Sequence, residues 1–552
     1  QRAGLYEKRR LRAGAVNRLT PRREICLMVM TKGIRDFLTE HESKSPVSFH
    51  MPGHKGYEFF ARNGFGDAVK RLASWDITEI CGADNLFQPE SIIRRTMEKY
   101  QRLYDVKKSY LLINGSSAGI IAAILAAVPR GGKLIMARNC HKSVFNALRL
   151  GDIEPVYAFP KTEEDYSISG EITAEEIEKC MDENPDARVV IITSPNYYGV
   201  CSDIENISRK IHERGGLLIV DQAHGAHLKF FSIEEKCAGN RGEAEGSASG
   251  NTELIPPRAA EELGADAVIN STHKTLASFT QTAVLNICSD RIDLNAVEDR
   301  LQMMESSSPS YPLMATLDIN ADILASHAGR LMKDWLENIR WFYHKAAEIE
   351  GLVLMKTARL DYTKLNIDMS RFGFDGAELE KFLMSHGVFP ELVSGNMVMC
   401  MSGIGNTRRD YERLIEALSE AAERGRPDRI DRLDRSALVE TTGLTGWSVL
   451  AETAGLIDRN GQAAHSRAEQ KVPLPLGLAR TEIPQERESV HITQAAGRVC
   501  VAAIIPYPPG IPLICPGEIF TQEIVDYVKA QREAGEKVIG VDEELRVSVG
   551  KK

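Results

Sequence analysis

Ser271-Thr272-His273-Lys274-Thr275 stands between the apolar run Ala267-Val268-Ile269 and the small-residue segment Leu276-Ala277-Ser278-Phe279. A lysine at the end of a buried strand, among hydroxyls and an imidazole, needs a reason, because ammonium groups are seldom buried without one. A Schiff base supplies that reason. Desolvation and a neighbouring cation lower a lysine's pKa and free its lone pair for attack on an aldehyde. The competing reading is a surface lysine at a strand end, and the pentapeptide alone does not choose between them.

Outward from this stretch the chain alternates helix and strand. Ser91 to Tyr104 has helical spacing, and Ser109-Tyr110-Leu111-Leu112-Ile113 is a short strand. Asn114-Gly115-Ser116-Ser117-Ala118-Gly119 then opens an apolar helix running to Val128. A glycine and hydroxyls at a strand-to-helix turn suit an anion, since free N–H groups and the helix dipole face the turn; an ordinary serine N-cap would look the same. Strands follow at Lys133 to Ala137, Val189 to Thr193 and Gly216 to Val220, ending in Asn139-Cys140-His141-Lys142-Ser143, Ser194-Pro195-Asn196 and Asp221-Gln222-Ala223-His224. Apolar strands with polar residues just past their ends predict an open, mainly parallel α/β sheet with its ligand crevice there.

The expected organisation is a disordered extension over 1–30, lying upstream of a start at Met28 or Met30, then an N-terminal segment over 31–90. A large domain follows over 91–320, interrupted by a Gly/Glu/Ser-rich insertion at 237–257. A long helical stretch at 309–343 leads into a smaller α/β domain over 321–423 with strands at 364–368 and 397–401 and helices at 376–385 and 408–424. A linker over 424–490 precedes a C-terminal domain, 491–552, that contains the proline-pinned loop Pro506 to Glu518.

A chain of 552 residues is too long for one core. A net charge of -9 gives no electrostatic reason to expect nucleic acid or a membrane surface, and weakly favours a cationic small molecule. Ten cysteines without a C-x-x-C pair read as reduced thiols of a cytoplasmic protein rather than a zinc knuckle or disulfide framework. His50-Met51-Pro52-Gly53-His54-Lys55-Gly56 lacks a carboxylate or third ligand at metal spacing, so no metal site is expected; a turn near a ligand or subunit boundary fits better.

The polar strand ends, collected, match what pyridoxal 5'-phosphate requires. Gly115, Ser116 and Ser117 supply a phosphate turn, joined by Ser271 and His273 from the lysine's side. Asp221 keeps a pyridine nitrogen protonated as an electron sink. His141 stacks on one ring face, small Ala223 leaves room on the other, and Lys274 holds the aldehyde.

Together with Ser308-Pro309-Ser310-Tyr311 and Pro506-Tyr507-Pro508-Pro509-Gly510, the His50–Gly56, Asn139–Ser143, Asp221-x-Ala-His and Ser271–Thr275 motifs resemble the ornithine/lysine/arginine decarboxylase family. The resemblance covers roughly residues 32–423 and 490–535. It implies a pyridoxal phosphate-dependent transferase large domain of the aspartate aminotransferase type (fold type I), in the short, biosynthetic-type branch without a receiver-like wing. It implies Lys274 as the Schiff-base lysine, Asp221 on the pyridinium, His141 on the ring, and Ser117, Ser271 and His273 on the phosphate. A phosphate contact from a neighbouring subunit maps to Ser307, making a homodimer the minimal unit. Glu518 resembles an acid that faces the substrate's distal cation, and Lys274 or His224 would reprotonate Cα. Gln222 and Ala118 depart from residues common in the family, a glutamate and a threonine.

The implied activity is decarboxylation of arginine, lysine or ornithine to agmatine, cadaverine or putrescine, in polyamine biosynthesis. Two alternatives stand beside it. An aminotransferase or lyase would use the same cofactor but needs an arginine for the substrate carboxylate, and Arg371 and Arg408 sit in solvated contexts. An inactive regulatory paralogue is opposed by intact Lys274, Asp221 and His141.

Overall fold

The structure, a computed structural model, describes residues 34–166, 168–231, 254–425, 477–506, 511–533 and 538–551. The expected extension over 1–30, most of the 237–257 insertion, the greater part of the 424–490 linker, and 507–510 of the proline loop lie outside the described residues.

Seven strands form the large sheet: β1 (Lys108–Leu112), β2 (Lys133–Ala137), β3 (Glu154–Ala158), β4 (Val189–Thr193), β5 (Leu217–Asp221), β6 (Ala267–Asn270) and β7 (Ala283–Ile287). Their order is β1-β7-β6-β5-β4-β2-β3. β7 runs antiparallel to both neighbours and the remaining pairs are parallel. The inner strands are unbroken apolar runs, such as Val189-Val190-Ile191-Ile192, because both sheet faces are covered. Successive residues therefore enter different cores: Leu111 and Val284 join one, Leu112 and Leu285 the other.

Three helices position the polar strand ends: α1 (Gly115–Ala127), α2 (Lys142–Gly151) and the single turn α3 (Thr272–Thr275). The 37-residue α4 (Tyr311–Ala347) carries the chain out of the large domain. Ser310 caps it, accepting from the Leu313 amide, and Pro312 sits in the first turn, where its missing N–H costs nothing. Beyond it, strands Val353–Leu354, Lys364–Asp368, Met397–Met401 and Leu392–Ser394 make an antiparallel sheet in that order. Helices Gly376–Ser385 and Arg408–Arg424 pack with this smaller unit.

One pairing was not visible in the sequence. Strand Val47–Phe49 runs parallel to Val388–Pro390, so the N-terminal segment belongs structurally with the small domain. At the other end, strands Arg487–His491 and Arg546–Gly550 pair antiparallel and helix Gln522–Glu533 lies over them. This unit has its own core of Ile492, Ile504, Phe520, Ile524, Val528 and Val549. Among the described residues, no helix is long and apolar enough to cross a membrane.

Candidate active site

The crevice lies past the carboxyl ends of the parallel strands. β5 ends on Asp221, and the turn after β6 starts α3 with Ser271 as its N-cap. Ser271, Thr272 and Thr275 are wholly buried and His273 nearly so, whereas Lys274 is partly accessible. The lysine is thus neither a surface residue nor sealed in a core; it is the one member of its pentapeptide offered to the crevice.

Lys274 Nζ lies 2.9 Å from Nε2 of His224. Burial pushes the ammonium's pKa down, opposed by the carboxylates of Asp221 and Glu391 and assisted by Lys364. His224 is held well below the usual imidazole range, first by burial and then by Lys274, so the pair favours neutral nitrogen. Asp221 is 2% exposed, and burial raises its carboxyl, with Lys274 pulling it back; its Oδ1 accepts from the Ala223 amide at 3.1 Å. His141 caps α2: Nδ1 accepts from the Ser143 amide at 3.3 Å and lies 2.9 Å from the Ser143 hydroxyl. Burial, then the charges of Lys274 and Lys142, push His141 down to about 3. Its ring is neutral.

The anion turn is stapled from outside. Gly115 has φ 79, a left-handed conformation that suits a residue without Cβ. Asn114 is the N-cap of α1 but its side chain makes no cap hydrogen bond; it donates instead to the Met304 carbonyl at 2.9 Å. Gln281 donates to the Ile113 carbonyl at 2.7 Å, and Glu305 Oε2 accepts from the amides of Ile113 and Asn114 at 3.2 and 3.0 Å. Burial raises Glu305 to about 7. Ser116 and Ser117 are half-buried in the first turn, where the helix N–H groups have no side-chain cap. α1 packs on β6 and β7, the strands on either side of the lysine turn.

One observation fits a phosphorylated aldehyde here. Ser271 Oγ is buried with no partner among the described residues, a costly state for a hydroxyl that a phosphate oxygen would relieve. His273 directs Nδ1 to the Thr282 carbonyl at 2.7 Å and burial lowers its pKa to about 4, so Nε2 donates to a phosphate only where that anion's charge restores its proton.

The structure does not bring every expected residue into this cluster. Ser307 is exposed on the loop after Glu305. Glu518 requires a correction. It is 0% exposed, and its carboxylate takes Arg138 at 3.2 Å, the Tyr157 hydroxyl at 3.0 Å and the Cys515 amide at 2.7 Å. This acid is already sealed and paired within the chain, rather than open to the crevice as expected. Gln222 also points away, to Glu261, Asn270 and the Ala260 amide.

Other residues were missed. Tyr197 packs on His224 with ring centroids 4.6 Å apart and the rings tilted by 59°, and its hydroxyl donates to Glu391 at 2.9 Å. Glu391 also accepts from the Met51 amide at 2.9 Å. Gly53, from the His50–Gly56 motif, lies directly behind the lysine turn. Its amide donates to the His273 carbonyl at 2.9 Å, and a Cβ there would stand 2.5 Å from Leu276 O and 2.6 Å from Thr275 O. The motif's spacing was legible, but its target was not, because the contact joins segments some 220 residues apart. Gly53→Ala is accordingly expected to displace the Lys274 turn, destabilising the fold by about 1–3 kcal/mol. It should lower kcat by roughly 100-fold. Urea unfolding and steady-state rates check this; parent values for both would refute the close-packing role.

Comparison with known proteins decides the class. Residues 34–366 match the Orn/Lys/Arg decarboxylase major domain, and residues 461–549 the Orn/Lys/Arg decarboxylase C-terminal domain. The chain belongs to the Orn/Lys/Arg decarboxylase family. It is a pyridoxal phosphate-dependent amino-acid decarboxylase, as the resemblance implied, and its relatives support a basic amino acid as substrate. Among relatives, it is 31% identical to the uncharacterized protein YaaO of Bacillus subtilis (strain 168), over 88% of this chain and 92% of that protein. It is 27% identical to the arginine decarboxylase of the same organism, over 92% and 94%. The solved Francisella novicida lysine decarboxylase LdcF superposes with a TM-score of 0.65 at 19% identity, covering 91% of this chain and 78% of that one, which shows the fold.

Proposed function

We propose that this family member decarboxylates arginine to agmatine, a polyamine precursor, with pyridoxal 5'-phosphate held by Lys274, Asp221, His141 and the phosphate residues Ser116, Ser117, Ser271 and His273. The observation that carries the reading is the buried contact of Lys274 with His224 beside Asp221. Similarity to the Bacillus subtilis arginine decarboxylase over nearly the whole of both chains supports arginine among the basic amino acids.

When bound, the cofactor supplies an electron sink for the pair left behind as carbon dioxide departs. The chain's residues do the rest. Buried Asp221 offers its carboxylate to a ring nitrogen; burial raises its carboxyl, and the charge of Lys274 opposes that rise. His141 presents a neutral ring, fixed by Ser143. Lys274 and His224, in contact, hold the proton that replaces carbon dioxide on Cα, so the balance is one amino acid and one proton in, one amine and one carbon dioxide out. Ser307, exposed on its loop, is the residue that the family resemblance assigns to a neighbouring subunit's phosphate, and a homodimer is accordingly the working unit of this reading. An aminotransferase would need an arginine at the crevice, yet Arg408 lies over the Trp341 ring, 4.7 Å from its centroid, and Arg371 is exposed.

The test is carbon dioxide release from arginine, lysine and ornithine in parallel. Arginine should give the highest kcat/KM, with agmatine formed one for one. Release fastest from lysine or ornithine would overturn the substrate, and a keto acid in place of carbon dioxide would overturn the reaction.

A further inference from the structure

A buried ion pair lies directly behind the lysine turn, and nothing in the chemistry above uses it. Lys364, on strand Lys364–Asp368 of the small domain, is 0% exposed. Its Nζ donates to the His224 carbonyl at 2.6 Å, to Asp361 Oδ2 at 2.7 Å and to Thr363 Oγ1 at 3.1 Å, so all three hydrogens are placed. Asp361 Oδ1 accepts from the Thr363 amide and hydroxyl and lies 3.2 Å from His227 Nε2. The other nitrogen of His227 lies 3.1 Å from Thr275 Oγ1. The His227 ring packs against both Phe231 and Trp335, with centroids 5.3 and 5.0 Å away.

This network therefore holds two residues beside the catalytic amine: His224, which contacts Lys274, through its carbonyl, and Thr275, which follows Lys274 in the chain, through its hydroxyl. A buried ion pair is poor value as stability, since desolvation offsets most of the attraction; its use is to fix one geometry. His224 needs that, because its Nδ1 is buried without a partner among the described residues and cannot orient the ring by itself.

We propose that Lys364 is a positioning residue: with Asp361, His227 and Thr275 it fixes the backbone of His224, and so the imidazole that meets Lys274, from the small domain. The inference rests on the decarboxylase reading. The charged and titratable groups acting on Lys274 or on His224 are Asp221, Glu391, His141, Lys364 and Asp361, and Lys364 is the cation that pushes Lys274 toward its neutral form.

The test uses the cofactor-loaded enzyme. Lys364→Met with Asp361→Asn removes both charges and leaves no orphan ion. The double variant should melt near the parent temperature, lose about 100-fold in kcat with KM changed only a few-fold, and shift the pH midpoint of the lysine-linked visible band upward. Thr275→Val, nearly isosteric, should lower kcat to a smaller extent, with a modest drop in melting because His227 Nδ1 loses its partner, and it decides the matter if the double variant does not fold. Parent kcat and parent band midpoint in a folded variant would overturn the proposal. Absence of the band or of carbon dioxide release in the parent enzyme would sink the decarboxylase reading instead.

Discussion

A Lys274→Ala enzyme is expected to fold and to release carbon dioxide at a vanishing rate. Two functions are lost together. The amine that holds the cofactor disappears, and so does the partner of His224 at 2.9 Å in the proton path. Losing a positioned proton-transfer group alone is worth about 10²–10⁴-fold, and loss of the covalent attachment adds to this. The parent should show a near-visible band that borohydride converts to a stable label on Lys274, and the variant should show no such label. His224→Gln, which keeps the attachment but removes the ring, should retain the label and lose rate. A Lys274→Ala variant with parent turnover would contradict the site assignment outright.

The second large effect is on the C-terminal domain. Arg138 and Glu518 are both 0% exposed and pair at 3.2 Å, and Arg138 also donates to the carbonyls of Pro512 and Leu513. Phe145 and Tyr157 flank the guanidinium, with ring centroids 5.4 and 5.3 Å from it. Glu518→Gln leaves a buried guanidinium without its counter-charge, which costs about 3–5 kcal/mol. Urea unfolding should show this loss, and limited proteolysis should release the C-terminal domain. Arg138→Met with Glu518→Leu should recover much of the stability, because no orphan charge remains. If Glu518 met substrate instead, Glu518→Gln would raise KM and leave unfolding untouched. Arg138 lies three residues before His141, so the docking contact also reaches the catalytic loop.

The Glu518 correction shows where reading from sequence ends. Its acidic character and its place after a proline loop were visible, but an acid's partner is decided by what faces it. Arg138, 380 residues away, reaches it first. The His50–Gly56 motif shows the same limit: it read as a turn near a ligand or subunit boundary, and only the packing showed Gly53 pressed against Thr275 and Leu276. Lys364 was hidden differently. A strand was expected at 364–368, but a lysine at its start reads as a solvated edge residue until Asp361 is seen to neutralise it inside.

The sequence by itself determined the alternating large domain and the order of chemistry along it: the turn at Gly115, the imidazole at His141, the acid at Asp221 and the lysine at Lys274. Hydrophobic runs and strand-end residues are local signals, and parallel strands place their carboxyl ends together whatever the loops do. Tertiary structure alone decided which groups touch. The His224–Lys274 contact, the Lys364–Asp361 pair, the Gly53 approach and the sealing of Glu518 by Arg138 each join distant segments, and burial is what turns each of these encounters into a shifted proton or a fixed geometry.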